Sequence, residues 1–205
     1  MSAPRKCPVG VLISGRGSNL QALIDAGFAE SFPARIALVI SNIEDAYGLV
    51  RARAAGIPTR VITHKGKTRE AFDAELDAAL REAEVEIVCL AGFMRILSDG
   101  FTKTWEGKLL NIHPSLLPAF KGTQVHERVI AAGVKQSGAS VHFVVPELDA
   151  GPVISQSVVP VLMTDTAETL AARVLEAEHR LYPTAVRLVC EGRARLEHGE
   201  AVFTS

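Results

Sequence analysis

Apolar positions along the chain fall into two alternating spacings. Short, nearly unbroken apolar runs occur at Val9–Ile13, Arg35–Ile40, Ile57–Ile62, Val85–Leu90 and Lys108–Ile112. That length and composition fit strands buried on both faces. Between the runs, apolar residues recur every three or four positions, which predicts helices. One carries Leu20, Leu23 and Ile24, and another spans Asp45–Ala55 and ends at Gly56. A third, capped by Thr68, has the stripe Phe72, Leu76, Leu80 and Ala83. A short one, capped by Ser98, runs through Phe101 and Trp105 to Gly107. Strands alternating with helices predict a parallel, doubly wound α/β sheet.

The second half reads less regularly. Thr123–Ala132 is a predicted helix closed by Gly133. Ser140–Val145 alternates, with Val141, Phe143 and Val145 on one face and His142 and Val144 on the other. Val153–Val161 is a last major strand. A long helix capped by Asp165 or Thr166 carries Leu170, Val174, Leu181, Ala185 and Leu188, with a bend expected near Pro183. Arg195–Val202 reads as a hairpin turning at His198-Gly199. With no repeat or linker in sight, residues 1–205 are expected to form one domain. Its expected class is α/β, a Rossmann-like, mostly parallel sheet with antiparallel strand(s) in the C-terminal half and helices on both faces.

Composition narrows the function classes. Hydrophobic residues at 48% and charged residues at 22% are ordinary for a globular chain. A formal net charge of -1 gives no sequence-independent grip on nucleic acid or an anionic membrane. The three cysteines, Cys7, Cys89 and Cys190, are odd in number and scattered, which argues for a reducing compartment. No run approaches the roughly 20 apolar residues of a membrane span. The N-terminal stretch Met1–Pro8 leads into an apolar segment shorter than the roughly 7–15 residues of a leader core. A cytoplasmic location is therefore expected.

Three polar interruptions carry candidate chemistry. The first is Ser14-Gly15-Arg16-Gly17-Ser18-Asn19, between the first strand and its helix. That geometry aims free backbone N–H groups at an anion, with Ser18 or Asn19 as the helix cap. The dinucleotide pattern is broken by Leu20 at the third small position, and no acid follows the second strand, which runs into Ser41-Asn42. One phosphate fits better than NAD; a turn that uses glycine only for packing stays open. The second is Ala91–Leu97, an unusually apolar loop that would line a flat ligand or plug the core beneath the next helix.

The third is Leu109-Leu110-Asn111-Ile112-His113-Pro114, where Pro114 ends a strand. Strand alternation puts Asn111 and His113 on one side, an amide beside an imidazole, suited to an oxyanion and a mobile proton. A polar strand end satisfying local backbone is the other reading. Ligands bind beyond the carboxyl ends of strands in such sheets, and all three stretches occupy that edge. The turn Glu147-Leu148-Asp149-Ala150-Gly151-Pro152 holds one plausible acidic partner for His113, since a carboxylate stabilises an imidazolium. His142 reaches the same cleft or is a hydrogen-bonded structural histidine. No His, Cys and carboxylate cluster has metal-ligand spacing, and Ser115 lacks the oriented base of a triad.

Several long motifs, in order from about Val9 to Glu191, resemble those of the phosphoribosylglycinamide formyltransferases, a folate-dependent formyltransferase family. They are Ile13–Ala22, Ala91–Leu97, Asn111–Pro118, Ser140–Val144, Glu147–Pro152 and Glu178-His179. The resemblance implies transfer of a formyl group from 10-formyltetrahydrofolate to the amine of glycinamide ribonucleotide, in de novo purine biosynthesis. It implies that Asn111, His113 and Asp149 are catalytic. Gly17, Ser18 and Asn19 would bind the substrate phosphate, and Glu178 would contact the ribonucleotide. Arg69, Met94, Arg95, Ile96, Leu97, Glu147 and Leu148 would hold the folate co-substrate, with no metal.

Leu175 stands where relatives are often polar, which puts a direct polar contact there in doubt. The expected partners are small molecules, with neither nucleic acid nor membrane, and a monomer or homodimer is left open. A formyltetrahydrofolate deformylase, with water in place of the amine, is expected to carry an extra N-terminal domain. A methionyl-tRNA formyltransferase is expected to carry a C-terminal tRNA-binding domain and a basic surface. A non-enzymatic phosphate-binding module would need only the Gly15 turn. The Leu117-Pro118 bond is expected to be cis.

Overall fold

The structure is a computed structural model that describes residues 5–204. Met1–Pro4 of the stretch weighed above as a leader lie outside the described residues. Seven strands form one sheet: β1 (Cys7–Ile13), β2 (Ala34–Ser41), β3 (Thr59–Val61), β4 (Ile87–Leu90), β5 (Leu109–His113), β6 (Gln136–Phe143) and β7 (Val153–Pro160). Their order is β3-β2-β1-β4-β5-β6-β7. The first five pair in parallel, and the β5–β6 and β6–β7 pairs are antiparallel. Among the described residues six helices connect or cover them: α1 (Ser18–Gly27), α2 (Tyr47–Ala54), α3 (Arg69–Glu82), α4 (Asp99–Thr104), α5 (Val125–Ala131) and α6 (Ala167–Cys190). A terminal hairpin, β8 (Ala194–Glu197) and β9 (Glu200–Phe203), forms a second small sheet.

Strand alternation divides the core into two layers. Val9, Val11 and Ile13 of β1 pack with Leu20 and Leu23 of α1 and with Leu170, Val174 and Tyr182 of α6. Leu12, between them, packs on the other face with Phe72, Leu76 and Leu80 of α3, Phe101 of α4 and Trp105 just beyond it. A strand sandwiched this way has no solvent-facing position, so its sequence reads as a continuous apolar run. From β1 the chain winds outward to β2 and β3, then returns to place β4 on the other side of β1. The carboxyl ends of β1 and β4 therefore flank the topological switch point, where open sheets of this kind hold ligands.

Some expected details shift. β6 starts at Gln136 rather than Ser140 and ends at Phe143, because it finds antiparallel partners on both sides. Helix α5 is shorter than expected: its N-cap, Gln124, is left-handed with φ of 52°. Neither Ser18 nor Asn19 caps α1. Gly17 does, at φ 69° and with no side-chain cap bond. At the start of α6, Thr166 is the cap, while Asp165 pairs with Arg173 and bonds the Leu162 N–H. Helix α6 runs unbroken across Pro183. The terminal hairpin turns at His198 (φ 52°) and Gly199 (φ 81°), the pair of positive angles that the tightest hairpin turns require. Leu117-Pro118 is cis.

Cys89 is fully buried, and burial pushes its thiol up to about 12. Cys7 and Cys190, distant in sequence, come close enough where β1 begins and α6 ends to shift each other's thiols, Cys7 down and Cys190 up. No helix among the described residues is long and apolar enough to cross a membrane.

Candidate active site

The turn after β1 is built from backbone. Gly17 sits at φ 69°, a conformation glycine adopts without cost, and a Cβ there would lie 2.6 Å from the Gly48 Cα of α2. Gly48 returns the support by donating its N–H to the Gly15 carbonyl at 3.0 Å. With no side chain capping α1, its first N–H groups and the positive end of its dipole are left for a ligand. Asn19 is diverted from capping: its amide donates to Glu178 Oε2 at 2.7 Å, and its own Oδ1 is buried without a partner. Burial raises the Glu178 carboxyl to about 7, against the lowering effect of that hydrogen bond. Asn19 and Glu178 thus form a buried polar pair linking the turn to α6.

The loop after β4 divides its apolar side chains between core and solvent. Met94 is 74% exposed and Ile96 61%, whereas Leu97 is buried. Of the two readings of this loop, the core plug fits Ala91, Phe93 and Leu97 but not Met94 or Ile96. Leu148, across the site on the turn after β6, is 57% exposed. Arg95 is also exposed, Glu147 lies 3.7 Å from the Lys121 ammonium, and Arg69 is exposed at the first turn of α3. No described contact brings Arg69 or Arg95 against Asn111, His113 or Asp149.

The end of β5 is where side chains converge. Antiparallel pairing sets Asn111 opposite His142. His142 Nδ1–H donates to the Phe143 carbonyl at 2.9 Å, which leaves Nε2 to accept from the Asn111 amide at 3.2 Å. Burial favours the neutral form of His142, lowering its pKa, and only the neutral ring can accept here. One Asn111 N–H is thereby fixed and the other left to donate elsewhere.

His113 is 5% exposed. Its Nε2–H donates to the Phe120 carbonyl at 3.0 Å, and its Nδ1 lies 3.4 Å from Asp149 Oδ2. Both ring nitrogens face acceptors, an arrangement the imidazolium satisfies fully. Asp149, with a side chain 8% exposed, also accepts the Gly122 N–H at 2.8 Å and lies 3.8 Å from His142 Nε2.

The turn after β6 therefore reaches the end of β5. Phe120 (φ 54°) and Asp149 (φ 48°) both hold left-handed backbone that non-glycine residues rarely adopt, and both touch His113. Strain of this kind concentrates where the surroundings over-determine a functional geometry. The structure resolves the two roles left open for His142: it is hydrogen-bonded to backbone and belongs to the cluster. The Phe120 carbonyl had no sequence signal, being backbone. Among the described residues no group of His, Cys, Asp and Glu side chains is placed to hold a metal ion.

Comparison with known proteins shows what the chain as a whole is similar to. The family model described as formyl transferase matches residues 8–186. The chain is 56% identical over 204 residues to the trifunctional purine biosynthetic protein adenosine-3 of Bos taurus, covering 98% of this chain but 20% of that protein. It thus spans about one fifth of the length of that relative. It is 46% identical to the phosphoribosylglycinamide formyltransferase of Escherichia coli (strain K12), covering 93% of this chain and 91% of that one. Among solved structures, glycinamide ribonucleotide transformylase 1 from Symbiobacterium toebii superposes with a TM-score of 0.94 at 45% identity, covering 98% and 95% of the two chains.

Proposed function

The chain belongs to the formyl transferase family, and we propose that it transfers the formyl group of 10-formyltetrahydrofolate to the amine of N1-(5-phospho-D-ribosyl)glycinamide, a step of de novo purine (IMP) biosynthesis. The observation that carries this reading is the meeting of Asn111, His113 and Asp149 beside a turn of free N–H groups and a ridge of exposed apolar side chains. The α1 turn at Gly17, Ser18 and Asn19 receives the substrate phosphate, and Glu178 lies within reach of the rest of the ribonucleotide. Met94, Ile96 and Leu148 give the flat folate an apolar bed, anchored by the buried Leu97 and flanked by Arg69, Arg95 and Glu147.

Amine attack on the formyl carbon develops an oxyanion and leaves a proton to be lost. The Asn111 N–H not held by His142 donates to that oxygen, and a preorganised donor is worth about 3–4 kcal/mol of barrier. His113, held between the Phe120 carbonyl and Asp149, sets its ring beside that amide at the same strand end. Collapse of the tetrahedral intermediate breaks the bond between the formyl carbon and N10 of the folate, and the proton lost by the amine passes through Asp149 or a bound water to that departing nitrogen. On this reading the partners are two small molecules, neither nucleic acid nor membrane is needed, and a cytoplasmic setting and a homodimer are both compatible.

Incubating the chain with 10-formyltetrahydrofolate, with and without the ribonucleotide, tests the proposal. Deformylated folate is expected only when the amine is present. Equal release without it would make the chain a hydrolase, and no release under either condition would reduce it to a binding module.

A further inference from the structure

One polar network remains outside this chemistry, at the junction between the turn after β1 and the loop after β4. The Ser14 N–H donates to the Gly92 carbonyl at 3.1 Å. The Met94 N–H donates to Ser14 Oγ at 2.8 Å, and Ser14 Oγ–H donates to Asn42 Oδ1 at 2.6 Å. The Asn42 amide in turn donates to His64 Nδ1 at 3.2 Å.

The Met94 N–H occupies one lone pair of Ser14 Oγ, and the Ser14 proton goes to Asn42 Oδ1, which turns the Asn42 NH₂ toward His64. Asn42 is buried, so its amide would be costly to leave unpaired. At the far end of the same loop, the Ser98 N–H donates to Oδ2 of the buried Asp73 at 2.6 Å. Phe93 stacks on Phe72 beneath the loop, with ring centroids 6.3 Å apart. The backbone carrying the exposed Met94 and Ile96 is therefore clamped at one end by the half-buried Ser14, backed by the buried Asn42, and at the other by the buried Asp73. Such a clamp is expensive for a surface loop and useful for a ligand platform, where a preformed bed spares ordering entropy.

We infer that Ser14 is a positioning residue for the formyl donor, hanging the Met94–Leu97 platform from the phosphate-binding turn, with Asn42 fixing its hydroxyl. The inference rests on the folate reading of that loop. Ser14→Ala keeps the backbone bond to Gly92 and removes only the hydroxyl. It is expected to raise KM for 10-formyltetrahydrofolate about tenfold, the worth of one hydrogen bond to a group then left unpaired. KM for the ribonucleotide and kcat at saturation should stay within about threefold, on the same accounting. Ser14→Thr restores the hydroxyl and should restore the donor KM, while Asn42→Leu should reproduce the defect from a different position.

A donor KM within about twofold of wild type in both Ser14→Ala and Asn42→Leu overturns the inference. So does an equal rise in both substrates' KM values, or a lowered thermal midpoint with unchanged KM, since each describes a merely structural network. Absence of transfer by the wild-type chain would sink the functional reading instead, and is visible before any variant is made.

Discussion

The two ligand-facing regions at the carboxyl edge of the sheet are built in opposite ways. The turn after β1 is one contiguous stretch whose working parts are backbone N–H groups. Its shape depends on Gly17 at φ 69° and on Gly48 close behind it. The centre at β5 is assembled from side chains on three segments: Asn111 and His113 on β5, His142 on β6, and Asp149 on the turn beyond. A backbone site tolerates changes of side chain and fails when a Cβ is added. A side-chain site fails when one functional group is deleted, though the fold around it survives.

Deletions at the side-chain centre should give the largest effects. Asn111→Ala and Asp149→Ala are each expected to lower kcat by about 10² to 10³ in folded protein, the loss typical of an oxyanion donor or its electrostatic support. Near-wild-type turnover in either, by steady-state assay with folding checked by circular dichroism, would show that the convergence at β5 is not the reaction centre.

The pair that joins the two regions predicts a pH effect. The Glu178 carboxyl is raised from its ordinary 4.5 to about 7, first by burial. Between those values the folded chain holds a proton that the unfolded chain has released. Stability conferred below pH 4.5 is therefore lost as pH rises toward and through 7. Glu178→Gln removes this titration. By urea unfolding it should match wild type near pH 4.5 and exceed it near pH 8, by on the order of 3 kcal/mol. It should also weaken ribonucleotide binding, and no stability gain at pH 8 would mean that Glu178 is better solvated than its contacts indicate.

The smallest effects sharpen the comparison most. Gly17→Ala forces a Cβ toward Gly48 in left-handed backbone and should raise KM for the ribonucleotide about tenfold with kcat little changed. Ser18→Ala, one residue on, should be nearly silent because its N–H is unaltered. A strong Ser18→Ala defect would show that the turn works through its hydroxyl, and that the contrast between the regions is overstated.

Each layer's legibility followed from the range of the interactions that built it. Strands β1 and β5, the stripe of α3, the His198-Gly199 hairpin and the core position of Cys89 all follow from local periodicity and burial. The Asn111 and His113 pairing followed from strand alternation alone. The cap of α1 misled because Asn19 has a better partner 159 residues away in Glu178, and a buried hydrogen bond to a carboxylate outweighs local capping. The start of β6 misled because its pairing with β5 and β7 lengthened it beyond its own alternation.

By itself, then, the sequence determined the layers, the strand ends and the residue types available at the sheet's edge, since these depend on contacts within a few residues. Only the tertiary structure decided which of those residues meet. It turned the segment after β6 back onto His113, made His142 the neutral acceptor that aims Asn111, and tied Ser14 to the loop after β4. Those choices depend on hydrogen bonds and burial between distant segments. Their geometry exists only once the antiparallel strands have closed beside β5.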